Sequence, residues 1–346
     1  MPAYKNSQRH TWFCSFYYTD WQGHRKKKKK EGFPTKRSAL AWERKFLEIY
    51  ASHPHIHFSS LVAAYKKFHQ ENTRQTTHYI KNSMIDNHIL PFFKDLPICQ
   101  ITKQQITAWK SALSQKNFKP QYAKQVYGQL KSIFNFAVEH YNLPTNPCPS
   151  RTNWGERTRT TDYWTIAEFR RFTIQLKKPH HIMAFYLLFW TGLRCGELLA
   201  LTWKDIDFST QSITVSKTLT RLHKQDIITA GKTAASHRTV IMTNFLSAML
   251  QDYRQQSGHT NGRIFNCTRN SLTYILKKYA ARAQLKNIRL HDLRHSHASL
   301  LINAGFPPLD VADRLGHANP TITLSTYSHF YDNKRAQLAE KLNNLN

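Results

Sequence analysis

Four short segments in the second half of this 346-residue chain carry residue types that hold an anion and move protons around it. The first is Thr191-Gly192-Leu193-Arg194-Cys195-Gly196-Glu197-Leu198. There Gly192 can interrupt an apolar helix and let Arg194 emerge near the start of the next one. The second is Gly231-Lys232-Thr233, in a turn between strand-like runs, followed by Ser236 and Arg238. The third is His291-Asp292-Leu293-Arg294-His295, whose HxxR spacing puts His291 and Arg294 on one helical face. The fourth is Leu315-Gly316-His317-Ala318-Asn319-Pro320, with Tyr327 ten residues beyond the histidine. Taken singly, each has an ordinary explanation: an ion-paired surface arginine, a chance HxxR, a tyrosine packed near a chain end. Their joint occurrence, in this order and within one predicted domain, sets them apart.

The substrate class follows from charge. Lys plus Arg number 50 against 21 Asp plus Glu, a formal net charge of +29. With 40% hydrophobic and 13% aromatic residues the chain must fold, so the excess points to a polyanionic partner. Nucleic acid is the first candidate. An anionic membrane is the second, disfavoured because no basic amphipathic helix dominates. No apolar run reaches the roughly 18 residues of a spanning helix, and Met1 to His10 lacks a signal-peptide core, so a soluble, cytoplasmic protein is expected. The five cysteines are odd in number and scattered without a CxxC pair, which argues against a disulfide framework or zinc ribbon. His53, His55 and His57 alternate, but with no HExxH or cysteine pair beside them a solvated loop is the better reading than a metal site.

The elements that must position these residues read as a multidomain, mainly α chain. Residues 1–52 suggest a small sheet plus one helix. Thr11 to Tyr18 is an aromatic strand, Asp20 to Gly23 supplies a turn, and Arg25 with Lys26, Lys27, Lys28, Lys29 and Lys30 forms a basic run. Thr35 or Ser38 can then cap a helix to about Tyr50. A strand carrying a row of lysines is a plausible DNA contact. Residues 58–147 read as helical, with helices from Ser59 or Ser60, over about Thr76 to Phe92, about Lys103 to Ser114 and about Gln121 to Tyr141. The last shows the clearest stripe: Tyr122, Val126, Leu130, Ile133, Phe134, Ala137, Val138 and Tyr141. Residues 148–161 form a basic linker in which Arg151, Arg157 and Arg159 could cross a phosphate backbone. Residues 162–346 suggest a mixed, mostly α domain with a small antiparallel sheet from Ser212 to Leu219, Asp226 to Thr229 and Arg238 to Met242. The tail from Asn333 could pack on its own domain or dock onto a neighbouring protomer.

The chain resembles the tyrosine site-specific recombinases, in particular phage and conjugative-transposon integrases. The likeness spans essentially the whole sequence and is strongest in TGLRCGELLALTW, HDLRHSHASLL and LGHANPTITLSTYSHF. It implies an N-terminal arm-type DNA-binding domain, a helical core-binding (SAM-like) domain and a catalytic domain. By motif, it makes Arg194 and Arg294 the pair that grips the scissile phosphate, Lys232 the hairpin lysine, His291 and His317 the two histidine-position residues, and Tyr327 the nucleophile. Lys224 lies in the same region as Lys232, but the GKTxxSxR context favours Lys232. Glu197 and Asp292 would be carboxylates that orient arginines. The implied partners are double-stranded DNA at core and arm attachment sites, further copies of the chain in a tetramer on DNA, an excisionase and a host DNA-bending protein.

Elementary chemistry agrees with these roles. Strand exchange must break a phosphodiester without losing its energy to water, and a tyrosine ester to DNA conserves it. Two guanidiniums can hold the charge that gathers on the non-bridging oxygens, and a lysine on a mobile turn can protonate the leaving 5′-oxygen. With that much fixed positive charge a divalent metal has no obvious task, so no cofactor is expected. The rival readings are a type IB topoisomerase, which shares the chemistry, and a non-catalytic DNA-binding regulator, which would not need Tyr327.

Overall fold

The computed structural model describes residues 3–6, 11–19, 25–50, 56–149, 154, 162–231, 237–258, 261–321, 323–324 and 327. The expected turn at Asp20 to Gly23, His53, His55, Lys232, Arg151, Arg157, Arg159 and the tail from Asn333 lie outside them. The chain divides into two units, residues 1–158 and 159–346.

The first unit opens with β1 (Ala3–Asn6), β2 (Thr11–Thr19) and β3 (Arg25–Phe33), an antiparallel sheet in that order, followed by α1 (Lys36–Tyr50). Strand alternation sends Cys14, Phe16 and Tyr18 toward α1, where they pack with Phe46 and Trp42. Thr35 is the residue that caps the helix: its hydroxyl accepts from the Ser38 amide at 3.1 Å.

A separate helical core follows. It comprises α2 (Phe58–Asn72), α3 (Gln75–Met84), a π turn (Ile85–Ile89), α4 (Leu90–Phe93), α5 (Lys103–Ser114) and α6 (Pro120–His140). The expected helix over Thr76 to Phe92 is therefore interrupted. Pro91 has no amide to continue the ladder and its ring crowds the carbonyl four residues back, and the preceding turn widens. The stripe on α6 buries Val126, Leu130, Ile133, Phe134 and Ala137, while Val138 faces solvent.

The second unit begins with α7 (Ile166–Ile174), capped by Thr165 and Glu168 reciprocally, then α8 (Pro179–Thr191) and α9 (Cys195–Ala200). α8 is apolar all round and buried accordingly, with Met183, Phe185, Leu188 and Phe189 in the main core. β4 (Ile206–Asp207), β5 (Ser212–Val215), β6 (Lys217–Leu222), β7 (Gln225–Ala230) and β8 (Arg238–Ile241) come next. The run from Ser212 to Leu219, expected as one strand, splits at Ser216. β5 joins a three-stranded sheet in the order β4-β5-β8, and β6 pairs with β7 as a hairpin, so the small antiparallel element is two sheets. α10 (Asn244–Ser257), α11 (Arg269–Arg282), α12 (Asp292–Asn303) and α13 (Pro308–Leu315) follow among the described residues, with further helical residues at Pro320, Thr321, Thr323, Leu324 and Tyr327.

Candidate active site

Arg194 is placed by the way α8 stops. Gly192 closes that helix in the left-handed region at φ +68°, and a Cβ there would lie 2.7 Å from both His297 and Leu315 side-chain carbons, so the close approach needs glycine. Two residues on, Arg194 is the residue before the first turn of α9. Its amide donates to Glu197 Oε2 at 2.9 Å, its Nη1 to Glu197 Oε1 at 2.8 Å, and its Nη2 to the Gly316 carbonyl at 3.2 Å. Arg238, the first residue of β8, donates to the same carboxylate from Nη1 and Nη2 at 3.3 and 2.9 Å. Burial pushes the Glu197 carboxyl up, but the hydrogen bond and charge of Arg238, with the bonds from Arg194, outweigh it and hold the group ionised below its ordinary value.

Arg294, in the first turn of α12, is only 3% exposed. It donates Nη1 to the Gly192 carbonyl at 2.8 Å and Nη2 to the Leu315 carbonyl at 2.5 Å. Gly316 ends α13 in the left-handed region, as Gly192 ends α8. The negative ends of two glycine-capped helices thus anchor both expected phosphate-gripping arginines. Burial, then repulsion from Arg194 and Arg238, lowers Arg294 to about 9, still a cation at neutral pH.

His317 follows Gly316 directly, and its Nδ1 is 2.8 Å from the Thr323 hydroxyl. When that hydroxyl donates, the neutral ring carries its proton on Nε2, the tautomer that can donate outward. Burial and the charges of Arg294, Arg194 and Arg238 lower His317 to about 4. His291 stands at the head of α12 and is an exposed residue. The surrounding protein, then His295 and Arg294, holds it below its ordinary value. Tyr327 is 1% exposed, packed among Ala298, Ile302, Val311 and Leu315. Its Oη lies 2.5 Å from His295 Nδ1. Burial raises the phenol above its ordinary range, although Arg294 draws it down.

The structure therefore brings Arg194, Glu197, Arg294, His291, His317 and Tyr327 into one unit. Asp292 does grip an arginine, but it is Arg289, by bonds of 2.7–3.1 Å, and neither member of the expected pair. Three residues without an assigned role in the sequence reading belong here as well. Arg238 shares Glu197 and donates Nε to the Arg314 carbonyl at 3.0 Å, and Arg314 donates to the buried His297 at 3.1 Å. His295 holds the tyrosine. Arg238 was visible only as the final letter of GKTxxSxR, and His295 only as the residue after the HxxR arginine. Among the described residues no three His, Cys, Asp or Glu side chains gather as a metal cluster, and no helix is long and apolar enough to cross a membrane.

The basic run on β3 divides by strand parity. Arg25, Lys27 and Lys29 lie on the sheet face away from α1, over the rings of Tyr17 and Phe13 at 4.7–5.0 Å for Arg25 and Lys29. Tyr4 stacks on Phe13 there, and Tyr4 and Tyr17 are exposed. Lys26, Lys28 and Lys30 share the register of the inward residues, with Lys28 and Lys30 over Phe46 and Trp42 at the rim of the small core.

Comparison with known proteins is consistent along the chain. Residues 2–48 match the arm DNA-binding domain, 57–114 the N-terminal SAM-like domain of phage integrases, and 166–334 the phage integrase family. The ICEBs1 integrase of Bacillus subtilis (strain 168) is 30% identical over 311 residues, covering 84% of this chain and 83% of the relative. The integrase of Mycobacterium phage D29 is 27% identical, covering 68% and 65%. The fold is that of the Tn1549 transposon integrase solved with transposon right end DNA: TM-score 0.71, 24% identity, 82% of this chain and 99% of that one. The lambda integrase dimer bound to a COC′ core site gives a TM-score of 0.59 at 16% identity, covering 94% and 93%. Fold and relatives define a DNA breaking and rejoining enzyme. The chain belongs to the phage integrase family of tyrosine recombinases.

Proposed function

We propose that the chain cuts and rejoins mobile-element DNA through a 3′-phosphotyrosyl bond made by Tyr327. Arg194 and Arg294 hold the two non-bridging oxygens, and His317 donates a third hydrogen bond. His291 assists at the phosphate, and Lys232 protonates the departing 5′-oxygen. A preorganised donor of this kind is typically worth about 10²–10³ in rate. No metal takes part. Residues 1–52 bind arm sites, and residues 58–147 and 162–346 each contact the core site, joined by the 148–161 linker with Arg151, Arg157 and Arg159 on the phosphate backbone. The open face of the N-terminal sheet is the arm-site surface. Four protomers assemble on paired duplexes in the bacterial cytoplasm, with an excisionase and a DNA-bending protein setting direction.

One observation carries this reading: Arg194 and Arg294 are fixed on adjacent carbonyls of residues 316 and 315, beside His317, and the helix that carries Arg294 also holds Tyr327 through His295. The test is a nicked suicide duplex incubated in the presence of a chelator. The wild-type chain should become covalently attached to DNA, and Tyr327→Phe should not. An adduct formed by the phenylalanine variant overturns the assignment.

A further inference from the structure

Resting on the reading of Tyr327 as nucleophile, we propose that His295 is a catalytic residue: it accepts the phenol proton as the phosphodiester is cleaved and returns it on religation. Attack requires that the Oη–H bond give up its proton while Oη bonds to phosphorus. His295 Nδ1 is 2.5 Å from that oxygen, and the two ring centroids are 5.7 Å apart. His291, the other histidine of the motif, packs edge-on against His295 at 5.2 Å between centroids, one turn earlier.

The surroundings suit a neutral acceptor. Burial and the guanidiniums of Arg289 and Arg294 disfavour the imidazolium before reaction, with Asp292 opposing them. Tyr327, itself kept protonated by its apolar packing, then meets a free lone pair and not a second cation. In the step, the Oη electron pair forms the O–P bond and the Oη proton passes to His295 Nδ1. The P–O5′ bond breaks with its electron pair on the 5′-oxygen, which takes a proton from Lys232. Religation runs the same transfers backwards.

The test compares full-length variants on a nicked duplex of candidate element-end DNA, reading both adduct formation and duplex affinity. His295→Asn places an amide oxygen near the Nδ1 position but cannot take the proton. It should cleave about 10²-fold more slowly than wild type at unchanged affinity, as should His295→Ala. Replacing Tyr327 by 3,5-difluorotyrosine, whose phenol is more acidic, should restore at least tenfold in both His295 variants and leave His291→Ala without that gain. Wild-type cleavage by His295→Asn, or no gain from the fluorinated ring, overturns the proposal. An adduct with Tyr327→Phe would instead overturn the nucleophile assignment on which it rests.

Discussion

Glu197 carries more of the site than its place in the sequence suggests. One buried carboxylate accepts bonds from Arg194 and Arg238, so it both aims the first arginine and offsets charge near Arg294. Glu197→Gln keeps the shape and removes the charge. The expected outcome is a loss of about 3 kcal/mol in urea unfolding together with slower suicide-substrate cleavage at full DNA affinity. Arg194→Lys is not conservative, because one ammonium cannot serve Glu197, the Gly316 carbonyl and a phosphate together. A cleavage loss of about 10²–10³ is expected. Buried histidines add a pH dependence. His297 and His181 are lowered by burial to about 3 and about 4. Below the ordinary value near 6.5 the unfolded chain takes up protons that the folded one refuses. Stability should be full above pH 7 and decline as pH falls toward 4; a urea midpoint unchanged between pH 7.5 and pH 5 would contradict this. The motif residues were legible because each sits in a short, distinctive spacing. Arg238, Arg314 and His295 were not, since their roles arise only when β8, α13 and the segment carrying Tyr327 close on one another.

Among the elements, those written in local chemistry were the readable ones. α5 runs over Lys103–Ser114 as the Thr102 and Gln105 capping pair requires, and Thr165 with Glu168 starts α7. The split at Ser216 was hidden, because both halves are rich in β-branched and polar residues and only tertiary pairing sends them to different sheets. The lysine run was legible as a strand, but its two faces needed the register with β2. That division has a measurable consequence. Lys27→Ala with Lys29→Ala should weaken binding of arm-site duplex and lower the salt slope by about 2. Lys28→Ala with Lys30→Ala should change the slope less. Equal slopes for the two pairs would show that parity does not matter.

For the molecule as a whole, the division of labour can be tested because the N-terminal sheet and the first helical bundle have separate cores. Removing residues 1–52 leaves the Phe58, Phe93 and Phe134 cluster and the catalytic unit intact. The shortened chain should still cleave a core duplex and should fail to yield recombinants between element and target. Full integration by it would remove the arm-site role. The net charge of +29 made a polyanion the expected partner from composition alone. What composition withheld was which cations are already committed inside the protein, as Arg238 and Arg314 are.

Gly192 makes the site vulnerable at a distance from any substrate. Its own carbonyl holds Arg294, and a methyl group on its α-carbon would press on Leu315, whose carbonyl holds the same arginine, and on His297. Leu315 adjoins the carbonyl that steadies Arg194. A mutant screen should therefore recover Gly192→Ala among inactive clones that still retain DNA in a gel. Both grips would be knocked out of true by one carbon atom, in an allele resembling a double arginine lesion.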